Sequence, residues 1–399
     1  MSRDSTQRWL FVDGSDEFGG HEVMLLRLAR EVARDDRIDL QILVRDGSKL
    51  QQLAGSLAVS TPLQRYPSVR SMTARVLDAA RDACLFVRTL LRERPDLCVI
   101  ACGCLLAQPV YAPLARLLGV KVAIYVPIVD SAHTMGFPTG RWRDGLMRWL
   151  YANLPHAWIT ITRQQAASLR AWARVRRPIL LLPNTIDLEL ERWAQDASED
   201  SAPASATLRV LVLGRLEPQQ KGLDLLLDHL EHAQPQGVRV HFVGTGRYAD
   251  RIRERMAANP CLQQLIELSP WSETRTALQA HDALLLTSRY EGVPLVMLEA
   301  MAAGVPVIAS DLPGTRAFLP PECLFAVGDL ATACAHLNSL RSTVHRDTVV
   351  ARNRGMYWQG ASNAMFTVAA GQLVEQLHDL AGTARIAPAV AQLSASRRE

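Results

Sequence analysis

Residues 288–309 read SRYEGVPLVMLEAMAAGVPVIA and are the most informative stretch of this 399-residue chain. The apolar run from 295 to 303 predicts a helix. Pro294 stands at its start and Gly304 just past its end, the positions that proline and glycine favour in helices. The next run, 305–309, is short, apolar and rich in β-branched residues, and it predicts a buried strand. A helix followed by a buried strand is the repeating unit of a parallel sheet covered by helices.

The same alternation of short apolar runs and amphipathic stretches extends over most of the chain. In the first half it predicts strands at 9–12, 38–44, 97–101, 122–126, 158–161 and 179–182, and helices at 21–34, 69–94, 105–118, 141–153 and 164–173. In the second half it predicts strands at 209–213, 238–243, 265–268, 283–287, 305–309 and 324–327, and helices at 223–230, 248–257, 273–279, 295–303 and 330–340. Such alternation is typical of α/β proteins with doubly wound parallel sheets.

The pattern predicts two Rossmann-like domains that face each other across a cleft. The first covers 1–184 and the second 208–350. Residues 185–207 between them are predicted to form a hinge or linker, because the stretch 194–207 is polar and poor in apolar residues. A last helical stretch, about 360–382, is expected to pack back on the first domain. Ligands of doubly wound sheets bind outside the carboxyl ends of the strands, so the cleft is the expected site.

The charge of the chain is uneven. It has 44 Lys and Arg against 40 Asp and Glu, a net charge of +4, yet residues 1–184 alone hold 25 basic and 16 acidic side chains. A basic first domain favours an acidic partner such as lipid headgroups, phosphates or nucleic acid, although a solvated basic surface explains the same count. Because the basic residues are dispersed and no nucleic-acid-binding motif is present, we expect no nucleic acid partner.

The seven cysteines and the N-terminal sequence predict a cytoplasmic protein. An odd number of cysteines without a secretory start favours reduced thiols over a disulfide framework. Cys98, Cys102 and Cys104 lie close together without a CxxC pair or a histidine, which favours packing over zinc binding. The polar N-terminus predicts no signal peptide, and glycine and prolines divide the uncharged run 97–115 into a strand, turn and helix, so it is not expected to span a membrane.

Two carboxylates stand in the most informative stretch. Glu291 precedes the predicted helix, where the helix dipole favours a negative charge, so it is either a ligand-binding group or an N-terminal cap. Glu299 is the one charged residue between 293 and 309. If it is buried it needs a donor, which sugar or ribose hydroxyls would supply; the alternative is an internal salt bridge.

Basic residues and glycines follow several of the predicted strands. The segment 213–222, LGRLEPQQKG, places Arg215 just after a strand and Lys221 at the start of the next helix. The planar guanidinium of Arg215 and the point charge of Lys221, both at the end of a strand, suit a diphosphate whose charge must be neutralised as it leaves. The alternative is that both are ordinary exposed side chains near a turn. Glycine pairs that let the backbone approach a ligand closely follow two other strands: Gly19 with Gly20, and Gly244 with Gly246.

With seven residues between them, Glu291 and Glu299 resemble the E-x7-E motif of retaining glycosyltransferases, and the surrounding sequence resembles glycosyltransferase family 4 over about residues 10–330. The resemblance implies a GT-B fold, a nucleotide-sugar donor in the cleft, transfer with retention, and no metal or other cofactor. By this likeness Arg215 and Lys221 hold the diphosphate, Glu291 contacts the transferred sugar and Glu299 binds the ribose. The implied donor-binding residues are Gly19, Gly20, Arg215, Lys221, Gly244, Gly292, Val293, Pro294, Leu295 and Glu299.

Three positions depart from the family pattern. Thr185 stands where the family's P-N-G-[IV]-D hinge has glycine, and Thr315 follows Pro313-Gly314 where the family often has glutamate. The family's catalytic histidine in the first domain has no clear counterpart. His133 is the candidate, and the alternative is a loop histidine that only donates or accepts hydrogen bonds.

The sequence therefore predicts a glycosyltransferase with Glu291, His133, Arg215 and Lys221 as catalytic residues. The expected reaction moves a hexose from a UDP- or GDP-sugar to a carbohydrate or lipid-linked acceptor, such as a polysaccharide or lipopolysaccharide precursor. One alternative is a phosphorylase, epimerase or hydrolase of the same fold, which would turn over the donor without the acceptor. Another is a non-catalytic sugar-nucleotide-binding subunit, which the presence of both cations and both carboxylates disfavours.

Residues 141–151 combine basic and aromatic side chains, namely Arg141, Trp142, Arg143, Arg148, Trp149 and Tyr151. At helical spacing Trp142, Leu146 and Trp149 share a face, with arginines at its edge. Such a segment suits the headgroup region of an anionic membrane, and the protein is then expected to bind peripherally. The alternative is that these aromatic rings pack on the sheet of the first domain.

Overall fold

The computed structural model describes residues 6–383 except 16–18, 56, 60–62, 64–71, 106–109 and 197–206. The chain forms two compact units. The first contains the described residues up to Leu182 together with those from Thr367 onward, and the second is Pro183–Phe366.

The first unit is built on a six-stranded sheet in which neighbouring strands are parallel. Its strands are β1 (Gln7–Asp13), β2 (Ile38–Val44), β3 (Leu97–Ala101), β4 (Lys121–Tyr125), β5 (Ala157–Thr160) and β6 (Ile179–Leu181). They lie in the order β2-β1-β3-β4-β5-β6. Every residue of β3, β4 and β5 is buried, as expected of parallel strands covered on both faces.

The helices of the first unit alternate with these strands. They are α1 (Gly20–Val32), α2 (Lys49–Ala54), α3 (Met72–Glu93), α4 (Tyr111–Leu117), α5 (Gly140–Leu146), a π-helical turn (Met147–Tyr151) and α6 (Arg163–Ala171). The helix predicted at 105–118 begins only at Tyr111, and residues 106–109 lie outside the described part. The helix predicted at 141–153 is α-helical only as far as Leu146, because the next turn widens to π-helical geometry.

The second unit repeats the architecture with another six-stranded parallel sheet. Its strands are β7 (Leu208–Leu213), β8 (Val238–Val243), β9 (Ile266–Ser269), β10 (Ala283–Leu286), β11 (Val307–Ser310) and β12 (Leu324–Phe325), in the order β12-β11-β10-β7-β8-β9. The helices are α7 (Leu188–Asp196), α8 (Pro218–Lys221), α9 (Leu223–Ala233), α10 (Ala249–Ala258), α11 (Pro260–Leu265), α12 (Thr274–Gln279), α13 (Leu295–Ala302), α14 (Pro313–Arg316), a 3-10 turn (Pro321–Cys323), α15 (Leu330–Ser339) and α16 (Thr343–Gly360).

Two helices at the ends of the second unit differ from the prediction. Where the sequence predicts a hinge or linker over 185–207, the structure has α7, and residues 197–206 lie outside the described part. The helix α16 continues past the predicted end at 350. Glu191 of α7 is buried and accepts hydrogen bonds from the Tyr357 hydroxyl of α16 at 2.6 Å and from the Asn363 backbone N–H at 2.8 Å. These bonds tie both helices into the second unit.

The last helix, α17 (Asn363–Gly382), brings the chain back to the first unit. Its residues Ala370, Leu373 and Leu377 are buried at helical spacing. The Gln7 side-chain amide donates to the carbonyl oxygen of His378 at 3.1 Å, and Arg37 forms an ion pair with Glu375. The helix α17 thus packs on the first unit beside the start of β1 and the residue before β2.

No helix in the described part of the chain is long and apolar enough to cross a membrane. All seven cysteines are free, and Cys98 and Cys102 are fully buried in the core of the first unit. Cys104 is only partly buried.

Candidate functional site

The loops that follow β7, β8 and β10 meet at one edge of the second sheet. Because β7 lies between β10 and β8, the carboxyl ends of these three strands are neighbours. The Thr287 hydroxyl donates a hydrogen bond to the carbonyl oxygen of Lys221 at 2.7 Å, and the Arg289 N–H donates to that of Gln220 at 2.8 Å. These bonds hold the loop after β10 against α8.

Lys221 and Glu291 form an ion pair at this edge, with the Lys221 ammonium donating to Oε1 of Glu291. The Ser288 hydroxyl donates to the same oxygen at 3.3 Å. The Lys221 side chain is 19% exposed and that of Glu291 is 9% exposed, so both groups are largely withdrawn from water. A pair in this position holds each charge in place, but loss of either partner would leave the other buried without compensation.

Arg215 stands beside this pair, on the exposed loop after β7. Its Nη2 donates to the Gln220 side chain at 3.3 Å. Arg215 and Lys221 line one depression at this edge, together with Gly214, Thr287 and Ser288. Two cations at the carboxyl end of a central strand can hold a doubly charged anion such as a diphosphate.

Two further arginines connect the loops around the depression. Arg289 makes two hydrogen bonds to the Asp224 carboxylate, each of 2.7 Å, and Arg247 makes two to Glu217, each of 2.9 Å. Arg289 holds the loop after β10 against α9, and Arg247 holds the loop after β8 against the loop after β7. Neither pair can be read from the sequence, because nothing in the spacing of these residues shows that their strands are neighbours.

Three glycines allow the loops to approach closely. Gly222, between α8 and α9, has a φ of +65°, and a Cβ built there would overlap the carbonyl oxygen of Thr287. A Cβ on Gly244 would overlap the carbonyl oxygen of Gly214, and one on Gly314 would overlap that of Gly292. Glycine is required at these positions because any side chain would push the neighbouring backbone away.

The segment 292–295 leads into α13. Gly292, Val293 and Pro294 are buried, and the Asn184 side-chain amide donates to the carbonyl oxygen of Val293 at 2.8 Å. No side chain caps α13, whose N-cap residue is Pro294. The alternative that Glu291 is an N-terminal cap is therefore wrong; Glu291 pairs with Lys221 instead.

Glu299 differs from the expectation of a buried carboxylate, because its side chain is only partly buried. The buried face of α13 carries Met297, Leu298 and Met301, whereas Leu295 and Glu299 share the more exposed side. The sequence does not show which side of α13 is more exposed, because Leu295 and Val296 on that side are apolar as well.

Two positions that depart from the family pattern are buried. Thr185 is fully buried. The Thr315 hydroxyl donates to the carbonyl oxygen of Ser310 at 2.7 Å and accepts a hydrogen bond from the Leu312 N–H at 3.0 Å. Thr315 thus closes the turn that presses Gly314 against Gly292.

In the first unit, Gly19 and Gly20 begin α1 next to a buried acidic cluster. The Glu22 carboxylate accepts a hydrogen bond from the Gly19 N–H at 2.8 Å, and its Oε2 lies 3.0 Å from Nδ1 of His21. On the other side of the ring, Oδ2 of Asp13 lies 3.7 Å from Nε2 of His21. The glycines are visible in the sequence, but the cluster is not, because the three side chains meet only in the fold.

Asp13, His21 and Glu22 each have a donor atom within 4.8 Å of the other two, and among the described residues this is the one group of three or more His, Cys, Asp or Glu residues that could hold a metal ion. Asp13 and Glu22 are almost completely buried. Burial raises the pKa of the Asp13 carboxyl; the nearby His21 lowers it and Glu22 raises it further.

The raised pKa of Asp13 predicts a pH-dependent stability. The folded state holds the Asp13 proton more tightly than the unfolded state, so the free energy of unfolding falls as pH rises from about 4 through the folded-state pKa. Asp13→Asn removes this dependence, and the variant should gain stability relative to the wild type as pH rises. Urea unfolding midpoints of both proteins between pH 4.5 and 7.5 measure the difference. A constant difference over this range would contradict the prediction.

His133 lies in the loop after β4 and its side chain is exposed. Its backbone N–H donates to Oδ2 of Asp144 at 3.2 Å, and the Ala132 N–H donates to Oδ1 of the same carboxylate at 2.8 Å. A Cβ on Gly140 would lie 2.5 Å from Cα of His133. Asp144, which the sequence analysis missed, is buried and fixes the backbone that presents His133.

The basic and aromatic segment 141–151 divides between surface and core. Trp142 is 70% exposed and Trp149 is 84% exposed, whereas Tyr151 is buried. The alternative that the aromatic rings pack in the core is therefore correct for Tyr151 and wrong for the two tryptophans.

Two family models match the chain, one to each half. The model described as Glycosyltransferase Family 4 matches residues 18–190, and the model described as Glycosyl transferases group 1 matches residues 207–340. The putative glycosyltransferase EpsF of Bacillus subtilis (strain 168) is 26% identical over 318 residues, which cover 77% of this chain and 80% of EpsF. The lipopolysaccharide 1,6-galactosyltransferase of Salmonella typhimurium is 30% identical over 141 residues, 33% of this chain and 39% of that enzyme.

Solved structures share the fold at low sequence identity. Anabaena HepE, in complex with UDP and glucose, has a TM-score of 0.71 at 18% identity, and the match covers 94% of this chain and 100% of HepE. Sucrose-phosphate synthase from Thermosynechococcus elongatus has a TM-score of 0.72 at 16% identity, over 94% of this chain and 99% of that chain.

Proposed function

Since the chain belongs to glycosyltransferase family 4 and has the GT-B fold, we propose that it transfers a hexose, with retention, from a nucleoside diphosphate sugar to an acceptor. The observation that carries this proposal is the edge of the second sheet where Arg215 and Lys221 line one depression and Lys221 pairs with Glu291. The structure of Anabaena HepE with UDP and glucose supports a UDP-sugar as the donor.

The proposed chemistry is mainly electrostatic. Arg215 and Lys221 hold the diphosphate and neutralise the charge that develops on its oxygen as the bond to the anomeric carbon breaks. The acceptor oxygen forms its new bond on the face that the diphosphate leaves, and its proton passes to a diphosphate oxygen. Glu291 keeps Lys221 in position and contacts sugar hydroxyls, His133 helps to hold the sugar, and Glu299 binds the ribose.

We propose a polysaccharide or lipopolysaccharide precursor, free or lipid-linked, as the acceptor. Relatives named for lipopolysaccharide and amylovoran synthesis support this class. The excess of basic residues in 1–184 suits the phosphate groups that such precursors carry.

A thermal-shift screen against UDP, GDP, ADP and CMP tests the donor site. A nucleotide at 100 times its dissociation constant should stabilise the protein by about 2.7 kcal/mol. Proton NMR of the product made with the stabilising nucleotide's sugar then gives the anomeric configuration. If none of the four nucleotides stabilises the protein, or if the product is inverted, the proposal is wrong.

We propose that transfer needs no metal ion, because two fixed cations can replace a divalent ion at the diphosphate. The initial rate in excess EDTA should equal the rate without it. Complete loss of activity that Mg²⁺ or Mn²⁺ restores would contradict this, and the cluster of Asp13, His21 and Glu22 would then be the first place to seek the metal.

We also propose that the protein binds an anionic membrane surface through Trp142, Trp149 and the arginines beside them. Arg141 and Arg148 are exposed together with both tryptophans. Exposed tryptophan and arginine are the side chains that favour the headgroup region. Each arginine near an anionic surface adds about 1 kcal/mol, so binding should be weak and reversible.

Co-sedimentation with vesicles tests this surface. Anionic vesicles should sediment the wild type, and added salt or the double variant Arg141→Glu/Arg148→Glu should reduce the sedimented fraction. The control Arg251→Glu/Arg253→Glu makes the same charge change on exposed arginines of α10 and should sediment like the wild type. Equal sedimentation with neutral and anionic vesicles, or none with either, would contradict the proposal.

A further inference from the structure

A group of Arg, Lys and His side chains lies at the amino-terminal edge of the first sheet, the edge opposite the loops that carry His133 and Gly19. Lys121 is the first residue of β4, and His156 directly precedes β5. Arg116 lies in the last turn of α4, and Arg177 lies just before β6. Strand order places β4, β5 and β6 side by side, so these four residues share one corner of the sheet.

Two donors of this corner, one on His156 and one on Arg116, face each other. The Val122 N–H donates to Nδ1 of His156 at 2.9 Å, which leaves the ring proton on Nε2. Nε2 faces Nη1 of Arg116, which can only donate, so two donors point at each other. In addition, Nε of Arg116 is buried without a hydrogen-bond partner in the described part of the chain.

Lys121 adds a buried charge to the same corner. It is only 6% exposed, and within the described part of the chain no carboxylate forms an ion pair with it or with Arg116. Burial and the charges of Arg116, Lys121 and Arg177 lower the pKa of His156 to about 4, so its ring is neutral at pH 7. A buried lysine usually has a partner, because an uncompensated charge is costly.

We propose that Arg116, Lys121 and His156 form a binding site for a phosphate group, separate from the proposed sugar-donor site. One phosphate can accept from the Arg116 guanidinium, the Lys121 ammonium and the His156 Nε2–H at once, and so relieve the contact between the two donors. The group can come from a soluble phosphorylated molecule or from a lipid headgroup, since both present the same oxygens.

Inorganic phosphate is the first probe. The melting temperature of the full chain is measured in 20 mM phosphate and in chloride of equal ionic strength. Every protein in this experiment carries Lys221→Ala, which weakens phosphate binding at the proposed donor site. For a millimolar dissociation constant, phosphate should raise the melting temperature by about 2–4 °C. Absence of any rise over chloride would overturn the proposal.

The variant Lys121→Met separates binding from folding. It should lose the phosphate-dependent rise. In chloride it should melt at a higher temperature than the Lys221→Ala protein without it, because methionine has a shape similar to lysine and carries no buried charge. Lys49→Met, a control at an exposed lysine of the same unit, should keep the full rise. A full rise in Lys121→Met would overturn the proposal, as would a lower melting temperature in chloride, which would show a structural role.

Vesicles then distinguish the two sources of the phosphate. If Lys121→Met lowers sedimentation with phosphatidylglycerol vesicles and leaves that with phosphatidylcholine vesicles unchanged, the site takes a lipid headgroup. If sedimentation is unchanged with both while the phosphate-dependent rise is lost, the site takes a soluble phosphate. Either result is consistent with the proposed phosphate site, and neither depends on whether the chain transfers a hexose.

Discussion

Lys221→Ala should lower kcat/KM by about two to three orders of magnitude, the usual effect of losing a preorganised charge partner. The variant removes the charge that is proposed to neutralise the departing diphosphate. It also leaves Glu291, whose side chain is only 9% exposed, without its ion-pair partner. The variant should therefore melt at a lower temperature than the wild type, and steady-state kinetics should be paired with a melting curve.

Two further variants separate catalysis from stability. Lys221→Ala/Glu291→Gln should recover much of the lost stability, because no buried carboxylate remains uncompensated, but it should recover no activity. Arg215→Ala should lose activity to a similar extent with an unchanged melting temperature, because Arg215 is exposed. Near-wild-type turnover in both Lys221→Ala and Arg215→Ala would refute the proposed diphosphate site.

Gly314→Ala should destabilise the second unit by about 3 kcal/mol or more and abolish nucleotide binding. The added methyl group would overlap the carbonyl oxygen of Gly292, which is backbone and cannot rotate away. The backbone next to Glu291 would have to move, and with it the start of α13. The measurements are a denaturation curve and a thermal-shift titration with the nucleotide that stabilises the wild type.

Gly355→Ala is the matched control in the same unit. Gly355 lies within α16, and a Cβ built there meets no atom within 4 Å. Alanine there should stabilise the protein by about 0.5–1 kcal/mol, since glycine is the poorer helix former. If Gly314→Ala were as stable as the wild type and bound nucleotide, the close contact with Gly292 would not be needed for the site.

The sheets were predictable from sequence because buried parallel strands are short apolar runs. The predictions at 38–44, 97–101 and 238–243 match β2, β3 and β8 residue for residue. The helix α16 was missed for a physical reason. Its buried face carries Arg346 and Asn353 together with Val349 and Tyr357, so the apolar periodicity that marks a helix is absent.

The candidate site was predictable as residues but not as contacts. Glycines and charges after strands identified Arg215, Lys221 and Glu291 one by one. The pairing of Lys221 with Glu291 depends on β7 and β10 being neighbours, and strand order does not follow from the order of residues along the chain. For the same reason the sequence did not show the Arg289–Asp224 pair.

The return of α17 to the first unit has a consequence for synthesis on the ribosome. Multidomain chains generally fold from the N-terminus as each domain emerges. Here β1 is made first, yet Gln7 and Arg37 contact α17 residues that are translated more than three hundred positions later. The first unit therefore cannot be completed before α17 has been translated. Until then the apolar surface that Leu373 and Leu377 cover stays open to chaperones in the nascent chain.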